Sequence, residues 1–133
     1  MHSDYPEDRL YHPDALWLMP QGDGEALIGI NHHAQKSLGP VMFVDLPRVG
    51  AGIRQHAPLG TIESRKAVSD MIAPASGTVL AVNPRLRGEP ALLNSDPYGE
   101  GWALRVRLAA PADSSGLLAA GDYVKQLVGT GGR

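Results

Sequence analysis

Lys66 stands in the stretch Glu63-Ser64-Arg65-Lys66-Ala67-Val68-Ser69-Asp70, between two runs that read as strands, with Ala73-Pro74-Ala75-Ser76-Gly77-Thr78-Val79 following. A lysine at a hairpin tip is held clear of the sheet by rigid backbone on both sides, which suits it to modification and to carrying a swinging group. Taken alone, such a lysine is an ordinary solvated charge. The other reactive side chains offer less. His32 and His33 are adjacent, so on a helix they point in different directions and read as surface histidines rather than shared metal ligands. Asp45, Glu63 and Asp70 show no spacing that pairs them and read as solvated acids. The chain has no cysteine, hence no disulfide, no thiolate metal site and no thiol nucleophile. Any sulfur chemistry has to arrive with a cofactor. G-x-S-x-G, H-E-x-x-H, a Walker loop and a G-x-G-x-x-G after a strand are all missing, so nothing in the sequence supports an enzyme.

The elements that position Lys66 follow from punctuation and periodicity. With 133 residues the chain is expected to form one domain over 1–133, and its 16 glycines and 11 prolines favour many short elements. A polar arm over residues 1–14 precedes a strand at Ala26–Ile30. Asn31 is a suitable N-cap for a helix over His32–Leu38, which Gly39-Pro40 stops. Strands are expected at Val41–Leu46, Leu59–Ser64, Asp70–Ala73 and Thr78–Val82, with a helical turn from Glu89-Pro90 to Leu93. Trp102–Leu108 alternates apolar and polar side chains and reads as a half-buried outer strand. Ser114 or Ser115 is placed to cap a short helix over Leu117 and Leu118, Asp122 to cap a last one through Val128, and Gly129–Arg133 is expected to fray. The expected core is Ile30, Val44, Leu46, Ile62, Val79, Val82, Trp102 and Val106, with turns set by Pro74, Gly77 and Pro97. This is an all-β fold with peripheral short helices, a sandwich or barrel. A formal net charge of -2 cannot supply the phosphate neutralisation that nucleic-acid binding requires. No long apolar run or secretory pattern is present, so no membrane partner is expected and the expected location is cytoplasmic.

The lysine stretch resembles the lipoyl site of the glycine-cleavage H-protein family, whose pattern is E-S-x-K-A, then S-D, then P-x-S-G. Further similarities run in order: Gly29-Ile30, Ala34-Gln35, Leu38-Gly39, Val44-Asp45-Leu46-Pro47, Val49-Gly50, Val82-Asn83 with Leu86, Pro90 with Leu93-Asn94, and Asp96-Pro97-Tyr98-Gly99-Glu100-Gly101-Trp102. Together they cover roughly residues 9 to 125. The resemblance implies a barrel-sandwich hybrid of the lipoyl-domain kind, with Lys66 on a β-turn as the covalent attachment site for lipoic acid. The amide would take the formal net charge from -2 to -3. Biotin carriers bracket their lysine with methionines, whereas here the neighbours are Arg65 and Ala67. The implied role is non-catalytic, ferrying a bound intermediate between enzymes. The competing class is an unlipoylated binding module.

Departures from the family pattern bear on the cargo. The family's H-E-W is Ala15-Leu16-Trp17 here, so the acid that lies in the cleft sheltering an aminomethyl-loaded arm is absent. The family's histidine in the short helix has a match at His33 and the acid after the lysine has one at Asp70, while Pro40 replaces an acid and Arg65 a small apolar residue. An uncharged or anionic cargo tolerates Leu16, which favours a role like that of the lipoate-binding proteins of bacterial sulfur oxidation, working with a heterodisulfide-reductase-like complex. Glycine cleavage is the alternative, with glycine decarboxylase and aminomethyltransferase as partners. Either system implies a lipoate-attaching enzyme and dihydrolipoamide dehydrogenase, and the carrier is expected to be a monomer.

Overall fold

The computed structural model describes residues 5–13, 16–109 and 117–131. Nine strands form two sheets. The larger has the order β1 (Leu10–Tyr11), β2 (Leu16–Gly22), β3 (Glu25–Ile30), β9 (Leu104–Leu108), β8 (Gly77–Val82) and β5 (Gly52–Ile53). The smaller is β4 (Val41–Asp45), β6 (Pro58–Ser64) and β7 (Val68–Ile72). Every pairing between these strands is antiparallel. The sheets enclose the main core, to which Leu16, Ile28, Ile30, Ile62, Met71, Val79, Leu104 and Val106 contribute buried side chains. This is the expected two-sheet arrangement with short helices at its margin.

Helix α1 (His32–Leu38) starts and stops where the residues dictate. The Asn31 side chain accepts from the Ala34 N–H at 2.8 Å, and Gly39 ends the helix with a positive φ of 72°, which glycine adopts without a Cβ clash. Asn31 is buried because its Nδ2 also donates to the Tyr123 hydroxyl at 2.8 Å, tying α1 to the C-terminal helix α4 (Ala120–Gly131).

A second cluster forms around Trp17, Tyr11 and Tyr123, all buried. Tyr11 stacks on Tyr123 at 5.3 Å, and the Trp17 indole N–H donates to the Pro97 carbonyl at 3.1 Å. Gly29 pairs across from Trp17, and a Cβ there would fall 2.5 Å from the indole ring, so only glycine fits. Arg9 lies over both Trp17 and Tyr98, 4.6 Å and 5.2 Å from the ring centroids, and pairs with Asp8 at 2.8 Å.

Several expectations need correction. Trp102 is only half-buried, and Trp17 is the tryptophan the fold closes over. Val44, Leu46 and Val82 are half-buried at the core's margin. β9 is not an outer strand: it lies between β3 and β8. Gly77 opens β8 instead of forming a turn. Glu89-Pro90 is the junction between α2 (Arg85–Gly88) and α3 (Leu92–Ser95). Leu118 bridges Tyr11 in place of the expected helix, whose candidate caps Ser114 and Ser115 lie outside the described residues. Asp122 sits inside the first turn of α4, and the helix continues past Val128 to Gly131. Within the expected N-terminal arm, Leu10–Tyr11 pairs with β2. Among the described residues no helix is long and apolar enough to cross a membrane.

Candidate functional site

The β6–β7 hairpin carries Lys66 at its tip. Strand pairing reaches Glu63 opposite Val68, and the Ser64 N–H donates to the Ala67 carbonyl at 2.8 Å, leaving Arg65 and Lys66 as the central residues of a tight turn. Ser64 is buried and anchors the turn, while Arg65, Lys66 and Ala67 are exposed. No ion pair reaches the Lys66 amine among the described residues. Its side chain passes over the end of α1, where Lys66 Cε lies 3.5 Å from the position a Cβ on Gly39 would take. That is an ordinary van der Waals contact, so it is the positive φ at 39 that calls for glycine.

Asn94 of α3 holds that path in place. Its Nδ2 donates to the Gly39 carbonyl at 2.8 Å, and its Oδ1 accepts from the Val41 N–H at 2.9 Å. One side chain thus satisfies backbone groups on both sides of Pro40 and fixes the loop beside the lysine.

The three acids do not converge. Asp45, Thr61 and Asp70 form one cross-strand row, so the two aspartates are separated by two strand spacings, about 10 Å. Glu63 lies two residues along β6 from Thr61, and all three acids are exposed. His32 and His33 separate as expected: His33 is exposed, while the His32 ring meets Tyr5 edge-on at 6.0 Å. No group of three His, Cys, Asp or Glu side chains among the described residues is arranged to hold a metal. A pair that nothing in the sequence points to is His12 Nε2 and His56 Nδ1, 2.7 Å apart. It lies at the far end of β6 from the lysine turn, since His56 just precedes Pro58.

Comparison with known proteins places this chain in a known context. The family model described as "Glycine cleavage H-protein" matches residues 9–130. The chain belongs to the glycine cleavage H-protein family. The glycine cleavage system H protein of Opitutus terrae is 48% identical over 125 residues, covering 94% of this chain and 98% of that relative. Its counterpart in Chromobacterium violaceum is 45% identical with the same coverage. The crystal structure of a glycine cleavage system H protein from Mycobacterium marinum superposes with a TM-score of 0.84 at 39% identity, covering 92% of this chain and 98% of that one. H proteins are non-catalytic carrier subunits, and their cofactor is covalently attached lipoate.

These relatives favour glycine cleavage over the sulfur-oxidation role, for which the comparisons offer no support. The structure also weakens the argument drawn from Leu16. At 2% exposure, opposite Ile30, Leu16 is part of the main core and is explained by packing without reference to any cargo.

Proposed function

We propose that the protein is the lipoyl-bearing H protein of a glycine cleavage system, with Lys66 as its attachment site and 1–133 acting as a single carrier domain. The observation that carries this reading is the exposed Lys66 amine, free of ion pairs among the described residues, at the tip of a hairpin whose sequence is the family's E-S-x-K-A. The site fits the group. An amine at the end of a four-carbon stem can form an amide without disturbing any bond that holds the fold, and nothing buried is lost when its charge is removed. Attached lipoate supplies a disulfide that exchanges cargo and electrons, chemistry a chain without cysteine cannot perform.

The chain's own residues supply position. Ser64 closes the turn on Ala67, Gly39 lies against the stem, and Asn94 keeps the adjoining loop in one conformation. Tethering raises the local concentration of cargo at each successive enzyme, which here are glycine decarboxylase, aminomethyltransferase and dihydrolipoamide dehydrogenase, after a lipoate-attaching enzyme has acted.

Intact-protein mass spectrometry after co-expression with a lipoylation system tests the attachment. The lipoyl increment is expected on the wild type and absent from Lys66→Arg, and an increment that survives the substitution overturns the assignment. Glycine decarboxylase is then expected to load the lipoylated protein with the glycine-derived aminomethyl group. Failure to load would remove the glycine-cleavage role while leaving the carrier.

A further inference from the structure

Four large apolar side chains stand exposed among the described residues: Met42 at 54%, Phe43 at 57%, Val49 at 64% and Val68 at 68%. Three of them are not scattered. Met42, Phe43 and Val49 line one groove of about 670 Å³ between β4, the loop after it and α2, with the buried Leu86 among the residues beneath. Phe43 lies opposite Glu63, an exposed acid three residues from Lys66 that separates the groove from Val68 on β7. Isolated exposed apolar residues need no explanation, whereas a contiguous set beside a functional turn marks an interaction surface.

The charge around the groove says what sits in it. Arg48 and Arg87 line it, both exposed and neither in an ion pair with a described residue, whereas neighbouring Arg85 is held by Glu89 and Glu100 at 3.3 Å and 2.6 Å. Asp45 is the one acid in the lining, so the groove carries a net positive charge on a protein of net charge -2. Two guanidiniums flanking an apolar trough match an apolar segment that carries carboxylates. We infer that this groove docks an apolar, carboxylate-bearing segment of the enzyme that loads the Lys66 arm. The groove's chemistry stands by itself, and only the choice of the loading enzyme as partner rests on the proposed function.

Two measurements test it, both on the full lipoylated chain. In the first, the ¹⁵N-labelled protein is titrated with a synthetic peptide of alternating Leu and Glu, and with its counterpart in which Lys replaces Glu. Shifts are expected at Met42, Phe43, Val49 and Arg87 with the acidic peptide only, and the affinity is expected to fall about tenfold or more in the double variant Arg48→Glu, Arg87→Glu. Equal response to both peptides, or undiminished binding by the variant, overturns the inference. In the second, loading by glycine decarboxylase is followed. The double variant is expected to raise KM for the carrier about tenfold with kcat within about twofold, an effect that shrinks as salt is added. An unchanged KM overturns the docking of the loading enzyme. If the wild type is not loaded at all, the glycine-cleavage role fails while the peptide titration still decides the groove. Arg48 and Arg87 are exposed, so thermal melts of the variant should match the wild type, and a dimer abolished by the substitutions would assign the groove to a second copy instead.

Discussion

Lys66 and Trp17 stand at opposite extremes of what a side chain does here. Lys66 is exposed and unpaired among the described residues, so Lys66→Ala should shift stability by less than about 0.5 kcal/mol in a denaturant titration. Trp17 is fully buried, stacked over by Arg9 and bonded to the Pro97 carbonyl, and Trp17→Ala should cost about 3 to 5 kcal/mol. Trp102→Ala, at a half-buried position, should cost clearly less, and a melt in which the two tryptophans rank the other way would contradict this division. Which tryptophan is buried was not legible in the chain: both sit among apolar neighbours, and only the pairing of Trp17 with Gly29 decides the matter. The place of Lys66 at an exposed turn is legible, because the strand signals on either side of it are local.

Among the elements, those with a periodic or capping signal in their own residues are legible in the sequence, and those without one are not. Helix α1 runs over the expected residues because Asn31 and Gly39 determine its two ends within their own few residues. β2 went unread, since Leu16–Gly22 includes Pro20 and follows neither strand nor helix periodicity, and its partners lie on β1 and β3. Two-residue strands such as β5 carry no period at all. The alternation in β9 did show which side chains are buried, yet alternation cannot say whether a strand is inner or outer. Asn94 is the clearest case of a distant bond with a local consequence, since α3 pins the loop beside the lysine from 53 positions away in sequence. Asn94→Ala leaves the Gly39 carbonyl and the Val41 N–H without this partner and should cost about 1 to 3 kcal/mol. Hydrogen exchange at Val41 should quicken while that at Ile28 does not. Uniform acceleration across both sheets would show that Asn94 supports the whole fold and not this loop.

On the scale of the whole molecule, stability should fall in alkali. Burial pushes the Tyr11 and Tyr98 phenols well above their ordinary range, with Tyr11 donating to the Pro6 carbonyl at 2.7 Å and Tyr98 accepting from the His32 N–H at 2.8 Å. A folded-state pKa above the unfolded value means the contribution is fully present below about pH 10 and is lost as pH rises beyond it, because the unfolded chain then releases protons the folded chain retains. Phenolate absorbance from these two rings should therefore rise only together with loss of circular dichroism, and ionisation ahead of unfolding would show that the cluster opens locally. The position of β9 also bears on the order in which the molecule comes into being. The small sheet uses residues 41–72 and can be completed as soon as they emerge from the ribosome, whereas β3 and β8 have no strand between them until Leu104–Leu108 has been synthesised. During translation the chain therefore holds its lysine hairpin formed while the larger sheet lies open in the middle, and a chain released short of Leu104 should leave the β9-facing amides of β3 unprotected, although β2 covers the other edge, and offer two bare strand edges for aggregation.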